Sequence, residues 1–213
     1  MKKILLMAIC MIASVGVYAQ KDAKAMAILE KASANYNSYS TIKADFTITI
    51  ENLVDETKSS QTGSIITKKS KYVLNMDGQQ IISNGNDVWT YMEDINEVQI
   101  DVVSDDEGSI SPVNFFTMYE KGYKYVYIGE ATHNSKACHQ IDLVPEDDEQ
   151  TFFKINLFVD ISTNLISGAK ILDKGGSHFY YTINKFKSNV PTEDSAFEFD
   201  VNKHSDIEVI DLR

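Results

Sequence analysis

From Ala44 onwards, apolar residues alternate with polar ones in short segments of the chain, and this period of two limits the possible folds more than any other feature. In the first segment, ADFTITIE (44–51), phenylalanine and isoleucine alternate with threonine and acidic residues. Because successive side chains of a strand point to opposite faces of a sheet, the pattern predicts a half-buried strand. Similar segments recur as far as IEVI (207–210).

Short turns separate these segments and indicate how the strands pair. The turns MDG (76–78), NGN (84–86) and KGG (174–176) are of the kind that joins antiparallel neighbours. The remaining predicted strands are SIITKK, KYVLNM, QQIIS, DVWTYM, EVQIDVV, YKYVYIG, CHQIDLV, TFFKINLFV, LISGAKIL, SHFYYTINKF and AFEFDV. About a dozen antiparallel strands in one sheet must curl or close rather than stay flat.

Two segments have a helical pattern instead. Between Asp22 and Asn37, apolar residues recur three and four positions apart and form one stripe, and Asp22 is suited to the N-cap. A second, shorter helix is predicted in SPVNFFTMYEKG (111–122), with Ser111 as its cap and Gly122 at its end.

The strand DVWTYM (87–92) raises the question of what covers its second face. Trp89 and Tyr91 point to one side and Val88 and Met92 to the other, so neither face is polar. We therefore predict a mainly β fold with some α: an unclosed antiparallel β-barrel whose hydrophobic cavity is lidded by short helices. One face of DVWTYM is expected to pack in the core, and the other to line or border the cavity.

Residues 1–19 are typical of a cleaved secretory signal peptide. Two lysines form a basic start, an apolar run follows, and VYA (17–19) supplies small residues for cleavage after Ala19. Two alternatives fit less well, because the apolar run is short for a retained membrane span and Cys10 lacks the small residue that precedes an acylated cysteine. The mature chain, residues 20–213, is predicted to be a single domain.

Charge and cysteine content limit the partners and the covalent links of this chain. The formal net charge is −11, and loss of the signal peptide would remove two lysines and make the chain more acidic. An acidic surface disfavours nucleic acid and anionic phospholipid. Cys138 is the only cysteine beyond the predicted signal peptide, so we expect no disulfide within the mature chain.

No residue pattern nominates a catalytic or metal site. The histidines lack HxxxH or HExxH spacing, no CxxC occurs, and the acidic run 146–149 lacks the ligand alternation of a calcium loop. Cys138 and His139 are neighbours in a predicted strand and face opposite sides, which prevents them from pairing. We expect no enzyme activity, no metal and no cofactor. What the sequence offers is a surplus of aromatic residues.

The order of these elements resembles that of the periplasmic lipoprotein carrier proteins, the LolA family, across the mature chain. The stretches that carry the resemblance are YSTIKADFTI, GSIITKKSKYVLNM, IISNGNDVWTYM, SPVNFFTMY and AFEFDV, the last followed by an acidic tail.

The resemblance implies a monomeric carrier in the periplasm of a Gram-negative bacterium. Such a carrier takes up the acyl chains of a lipoprotein cargo from an inner-membrane lipoprotein release complex and passes the cargo to an outer-membrane acceptor, without a cofactor. Burying each methylene group gains ~0.8 kcal/mol, so acyl chains must be covered to cross water. The residues expected to form the cavity and its lid are Tyr36, Phe46, Val73, Trp89, Tyr91, Phe115, Phe116 and Tyr119.

The chain departs from the family pattern at the end of the second strand. The family commonly has an Arg-Pro there, whose arginine latches the lid by hydrogen bonding, and the matching residues here are Lys69 and Ser70. A lysine can donate but lacks the planar fork of arginine, so we expect a weaker latch. Val73 stands where the family has an aromatic residue, which leaves the cargo open. The alternatives are a LolA-like paralogue that binds another lipid or senses mislocalised lipoproteins, and an enzyme or a purely structural secreted domain.

Overall fold

The computed structural model describes residues 22–103 and 115–213, which form one α-helix and one twelve-stranded sheet. The helix is α1 (Ala23–Ser38). The strands are β1 (Ile42–Asn52), β2 (Thr57–Lys68), β3 (Lys71–Met76), β4 (Gln79–Ser83), β5 (Asp87–Met92), β6 (Glu97–Val102), β7 (Tyr123–His133), β8 (Lys136–Pro145), β9 (Phe152–Asp160), β10 (Ile166–Asp173), β11 (Ser177–Ser188) and β12 (Glu208–Asp211).

Helix α1 begins and ends close to the predicted positions. The carboxylate of Asp22 accepts hydrogen bonds from the backbone N–H groups of Lys24 and Ala25, at 2.8 and 3.2 Å. These donors have no partner inside the helix, so the cap stabilises its first turn. Asp22 also accepts from the N–H of Tyr127 in β7 at 3.1 Å, which ties the helix to the edge of the sheet. The buried stripe is the predicted one, namely Ala25, Ile28, Leu29, Ala32 and Tyr36.

The sheet is unclosed, as predicted. Its strand order is β12-β6-β5-β4-β3-β2-β1-β11-β10-β9-β8-β7, so β12 and β7 form the two edges. All pairings among the first eleven strands are antiparallel. β12 differs from the predicted antiparallel arrangement because it runs parallel to β6. The prediction of a mainly β fold built on an unclosed sheet is confirmed.

Side chains of the strands divide between two faces of the sheet, which we call the inner face, against α1, and the outer face. In β2, β3 and β4, Ile65, Leu74 and Ile81 lie opposite one another and belong to the inner cluster. The same cluster contains the buried residues of α1 together with Phe116 and Tyr119. The helix therefore packs on the inner face of the sheet.

Alternate residues of the same strands form a second cluster on the outer face. Val73, Ile82 and Trp89 lie opposite one another in neighbouring strands and belong to this cluster. The last residues of the chain, 194–213, which we call the C-terminal segment, cover it. The residues of this segment that pack there are Phe197, Phe199, Val201 and Ile207.

The predicted strand AFEFDV (196–201) is wrong. This stretch contains the end of one 3-10 helix, Asp194–Phe197, and the start of another, Val201–Lys203. Its two phenylalanines pack on the outer face of β3 to β6 instead of joining the sheet. The alternation of apolar and polar residues in this stretch therefore belongs to a segment that packs on the sheet, not to a strand.

Two further predictions lie wholly or partly outside the described residues. In the predicted lid helix SPVNFFTMYEKG, residues 111–114, including the predicted cap Ser111, lie outside the described residues. The described part of this segment is a turn followed by a 3-10 helix, Met118–Glu120. Gly122 has φ +79°, a left-handed conformation that suits the end of such an element. The predicted signal peptide, 1–19, is also outside. Within the described part of the chain, no helix is both long and apolar enough to cross a membrane.

Candidate functional site

Aromatic side chains form a contiguous cluster on the inner face, at the C-terminal end of α1. Phe116 stacks on Tyr36 with ring centroids 4.7 Å apart and an interplanar angle of 26°. Phe186 meets both rings edge-on, at 5.8 and 6.2 Å. Phe115 continues the cluster to Tyr181, with centroids 5.6 Å apart. Two of the predicted lid residues therefore pack against the helix and against β11.

Tyr36 is fixed at both ends of its side chain. The ring is 4% exposed, and its hydroxyl accepts a hydrogen bond of 2.7 Å from the buried backbone N–H of Ile166 in β10. Burial raises the pKa of Tyr36, so the hydroxyl stays neutral at physiological pH. This bond crosses from the helix to the sheet and holds the ring as a rigid wall for Phe116.

A cavity of about 450 Å³ lies beside this cluster, within the size range of ligand pockets in proteins. It lies where the end of α1 meets the start of β1 and the end of β2. The residues that line it are Tyr36, Asn37, Tyr39, Ser40, Thr41, Ile42, Thr67, Lys68, Lys69, Phe116 and Thr117. Its wall thus combines aromatic and aliphatic surface with hydroxyl groups and two lysines.

A second cavity, of about 510 Å³, lies along α1 between Met26 and Asn37. Tyr119, which is 2% exposed, contributes to its wall, and Glu120 accepts a hydrogen bond from the hydroxyl of Ser33. The remaining lining residues are Met26, Leu29, Glu30, Ala34, Asn37 and Tyr125. Tyr119 therefore belongs to the inner cluster and also lines this cavity.

The structure brings five of the predicted cavity residues to the inner face. Phe46 joins Tyr36, Phe115, Phe116 and Tyr119 there. A Cβ built on Gly63 would lie 2.5 Å from the Phe46 ring, so the absence of a side chain at Gly63 is what lets this ring lie over β2. Of these five, Tyr36 and Phe116 line the first cavity and Tyr119 lines the second, and their role in lipid binding stays a prediction.

Three of the predicted cavity residues lie elsewhere. Val73, Trp89 and Tyr91 are on the outer face, and the C-terminal segment covers them. Tyr91 packs against Phe199, with ring centroids 5.3 Å apart, and its hydroxyl donates to the side-chain oxygen of Asn96 at 3.1 Å. The interpretation of these three residues as part of the same cavity is therefore corrected, because the sheet separates them from Phe116.

Lys69, the predicted latch, lies at the turn between β2 and β3. Its backbone has φ +56°, and its exposed side chain lines the cavity beside Phe116 and Thr117. Among the described residues, its ammonium has no hydrogen-bond partner, whereas Lys68 and Lys71 both bind the carboxylate of Asp194. The position is compatible with a latch, and that role stays a prediction.

Sequence reasoning missed the contribution of β11 to the site. Phe186 and Tyr181 complete the aromatic cluster, and neither was a candidate. The strand SHFYYTINKF carried a usable signal, because Phe179 and Tyr181 alternate on one face and Tyr180 lies on the other. The missing information was that β11 pairs with β1.

The cysteine and its neighbouring histidine face opposite ways, as expected for a strand. Cys138 is fully buried, and burial raises the pKa of its thiol. His139 instead approaches the hydroxyl of Tyr127, at 3.3 Å. Within residues 22–103 and 115–213, no three acidic, histidine or cysteine side chains are grouped so that they could hold a metal ion.

The sequence profile described as outer membrane lipoprotein carrier protein LolA matches residues 37–200, well over half of the chain. The chain belongs to the LolA family. No curated protein sequence gives a significant match. Among solved structures, the chain resembles an uncharacterized conserved protein from Thermus thermophilus, with a TM-score of 0.57 and 13% identity over 88% of this chain and 99% of that one.

Two other solved structures are similar at a lower level. A putative outer membrane lipoprotein-sorting protein domain from Vibrio parahaemolyticus has a TM-score of 0.48 and 11% identity, over 84% of this chain and 97% of that one. A LolA superfamily protein from Nitrosomonas europaea has a TM-score of 0.45 and 14% identity, over 83% and 98% of the two chains. At 13% identity, the likeness to the Thermus thermophilus protein speaks for the fold alone, and function must be argued from the site.

Proposed function

We propose that this LolA family protein is a carrier that shields the acyl chains of lipoproteins and moves them from the inner to the outer membrane. The observation that carries the proposal is the cavity beside the stacked rings of Tyr36 and Phe116, on the inner face of an unclosed sheet. Membership of a family described as outer membrane lipoprotein carriers supports the same role.

The chemistry of this wall suits an acyl chain. Tyr36, Ile42 and Phe116 are each less than a tenth exposed and present carbon surface to the cavity. A buried methylene gains ~0.8 kcal/mol, so a chain of a dozen or more gains on the order of 10 kcal/mol if fully covered. Shielding and release of a chain need no covalent step, and we therefore propose a binding protein without a cofactor and without enzyme activity.

In this proposal, Phe115 and Phe116 belong to the lid and Lys69 is its latch. Phe115 touches Phe116 edge-on at 5.4 Å and reaches Tyr181 on the sheet, so the described part of the lid is held by ring contacts. Ring contacts of this kind contribute about 0.5–1.5 kcal/mol each beyond burial. An entering acyl chain can replace them at small cost, which allows reversible loading.

The proposed route implies the partners and the compartment of the protein. Cleavage after Ala19 would place a monomer in the periplasm of a Gram-negative bacterium. There it would accept acylated lipoprotein cargo from an inner-membrane release complex and pass it to an outer-membrane acceptor. The chain carries a formal net charge of −11 before cleavage, which keeps it from anionic lipid surfaces between these encounters.

Native mass spectrometry of the protein purified from a periplasm with intact lipoprotein synthesis tests the proposal. We expect a co-purifying acylated polypeptide, which Phe116→Glu removes because the substitution puts a charge against Tyr36. The matched control is Phe153→Glu, at a phenylalanine that is 48% exposed and outside both cavities. A bound small lipid would favour the alternative role, a LolA-like protein that binds another lipid. Cargo retained by Phe116→Glu in a folded protein would contradict the proposed lid.

A further inference from the structure

We propose that the cavity beside Tyr36 and Phe116 takes amphiphiles that carry an anionic group, and that the Lys69 ammonium binds this group at the rim. The inference rests on the proposed function, because the same cavity holds the acyl chain. It adds the chemical class of the ligand, which is an acyl chain joined to a carboxylate or phosphate within reach of Lys69.

The wall of the cavity changes from buried apolar residues to exposed polar ones. Tyr36, Ile42 and Phe116 are 4%, 8% and 3% exposed, whereas Ser40 and Lys69 are exposed to water. An apolar chain gains free energy by contact with the buried residues. A charged end of the ligand stays hydrated beside the exposed residues and finds a counter-charge there. The gradient therefore matches a ligand with an apolar chain and a polar end.

Of the three lysines in the hairpin between β2 and β3, two already share one carboxylate. The ammonium of Lys68 donates to Asp194 at 2.7 Å and to the carbonyl of Thr192 at 3.0 Å. Lys71 donates to the other oxygen of the same carboxylate at 3.1 Å. The bonds from Lys68 and then Lys71 hold the pKa of Asp194 below its usual range. Lys68 also lines the cavity, but its ammonium is held by Asp194, which does not line it.

Lys69 is the lysine that remains for a ligand. It lines the cavity, and among the described residues no acceptor lies within hydrogen-bond distance of its ammonium. In a chain whose formal net charge is −11, an ammonium without a carboxylate partner next to an apolar wall creates a local positive potential. Charge-assisted hydrogen bonds to carboxylate or phosphate oxygens are the interactions that such a group makes best.

The backbone of this turn does not account for the lysine. Lys69 has φ +56°, a left-handed conformation in which glycine and asparagine are favoured and other residues are strained. The conformation itself therefore gives a lysine no advantage over those two residues, although Glu56 and Ser135 also adopt it. The side chain at the rim gives the position a reason to hold a lysine despite the strain.

The proposed latch and the anion site use the same ammonium at different stages. With the cavity empty, Lys69 is available to the lid, and with a ligand in place it binds the ligand's anionic group. If Lys69 acts only as a latch, its loss changes the affinities for anionic and for neutral ligands by the same factor, because Lys69 then contacts neither ligand. Loss of the anion site changes the ratio of the two affinities.

The ratio of two dissociation constants therefore tests the inference. The neutral probe N-phenyl-1-naphthylamine, bound to the full mature protein, is displaced by myristate or by methyl myristate, which differ in charge and by one methyl group. We expect myristate to bind about fivefold more tightly at low salt, as a partly exposed ion pair allows. The preference should fall to near unity in Lys69→Met, persist in Lys69→Arg, and weaken with added salt.

A matched control removes one positive charge elsewhere. Lys203→Met lies in the C-terminal segment, where Lys203 is exposed and 3.7 Å from Asp200, and it should keep the wild-type ratio because solvent and salt screen distant charges. Two further ligand pairs separate the sources of the anion. Lysophosphatidate against monoacylglycerol tests a lipid phosphate, and a diacylated lipopeptide with Asp-Asp against Asn-Asn after its acylated cysteine tests a polypeptide carboxylate.

Each result of these binding experiments either supports or overturns the anion site. A preference that Lys69→Met abolishes in any of the three pairs supports the anion site, and the pair that shows the strongest preference identifies the source. Equal binding of charged and neutral partners in all pairs, or a preference that Lys69→Met leaves intact, overturns the inference while the carrier proposal stands. If no acylated probe displaces the dye, the proposed function itself fails.

Discussion

The ring of Tyr91 in β5 packs against the ring of Phe199 in the C-terminal segment, with centroids 5.3 Å apart. His204 closes the group, with its ring stacked on Phe199 at 4.8 Å and an interplanar angle of 17°. Because Trp89 and Tyr91 lie on one face of β5, these contacts show what covers the second apolar face of this strand. The cover is the end of the chain itself, and the cavity lies on the other side of the sheet.

The C-terminal segment should therefore contribute much of the stability of the outer cluster. Phe197 is fully buried there, and Phe197→Ala should lower the free energy of unfolding by about 3–5 kcal/mol, since it removes a large side chain and leaves a cavity. Urea denaturation followed by the emission of Trp89, the only tryptophan, measures this directly. Phe153→Ala, at a phenylalanine that is 48% exposed, is the control and should have a much smaller effect. Equal losses in the two variants would show that the segment is not a structural cover.

The misplacement of Trp89 and Tyr91 shows what a sequence pattern leaves open. Alternation in DVWTYM correctly predicts that these two rings share a face and that the other face is also apolar. It does not indicate which face is the inner one, because both faces of the strand carry apolar residues. The cover of the outer face comes from residues more than a hundred positions later in the chain, and its own alternation imitates a strand.

The positions of other candidate residues could be predicted because their signals are local. The Asp22 cap and the stripe that ends at Tyr36 follow from helix geometry alone. Phe115 and Phe116 stood out as a pair of aromatic residues between the two groups of strands. Phe186 was missed because its place beside Tyr36 depends on the pairing of β1 with β11, which is a long-range feature.

The hydrogen bond between Tyr36 and Ile166 should be a measurable part of the site's rigidity. Tyr36→Phe keeps the ring but leaves the buried N–H of Ile166 without its acceptor, which should cost about 1–3 kcal/mol of unfolding free energy. The effect is measured by urea denaturation at neutral pH, with amide hydrogen exchange at Ile166 as a local readout. Tyr39→Phe is the control, because the hydroxyl of Tyr39 has no hydrogen-bond partner in the described part of the chain. If the Ile166 amide exchanges at the wild-type rate in Tyr36→Phe, the bond does not anchor the helix to β10.

Acid should loosen the C-terminal segment before it unfolds the inner cluster. Bonds from Lys68 and Lys71 lower the pKa of Asp194 and tie the segment to the hairpin between β2 and β3, whereas the bonds from Arg213 that lower the pKa of Asp211 to about 2 lie within the segment. A carboxylate whose folded pKa is depressed contributes stability that is fully present above its unfolded pKa and is lost as the pH falls through the folded value. For these two groups the window lies below about pH 4, the ordinary range of an aspartate.

The variant Asp194→Asn tests this pH dependence. It removes the charge that binds Lys68 and Lys71, so the midpoint of urea unfolding, followed by Trp89 emission, should be lower than in the wild type at about pH 7. The difference should shrink as the pH falls below about 4, because the wild-type carboxylate then becomes neutral as well. Asp206→Asn is the control: Asp206 has a left-handed backbone, which asparagine also tolerates, and no ion-pair partner in the described part of the chain. A difference between Asp194→Asn and wild type that stays constant down to about pH 2 would mean that the carboxylate's charge does not hold the segment.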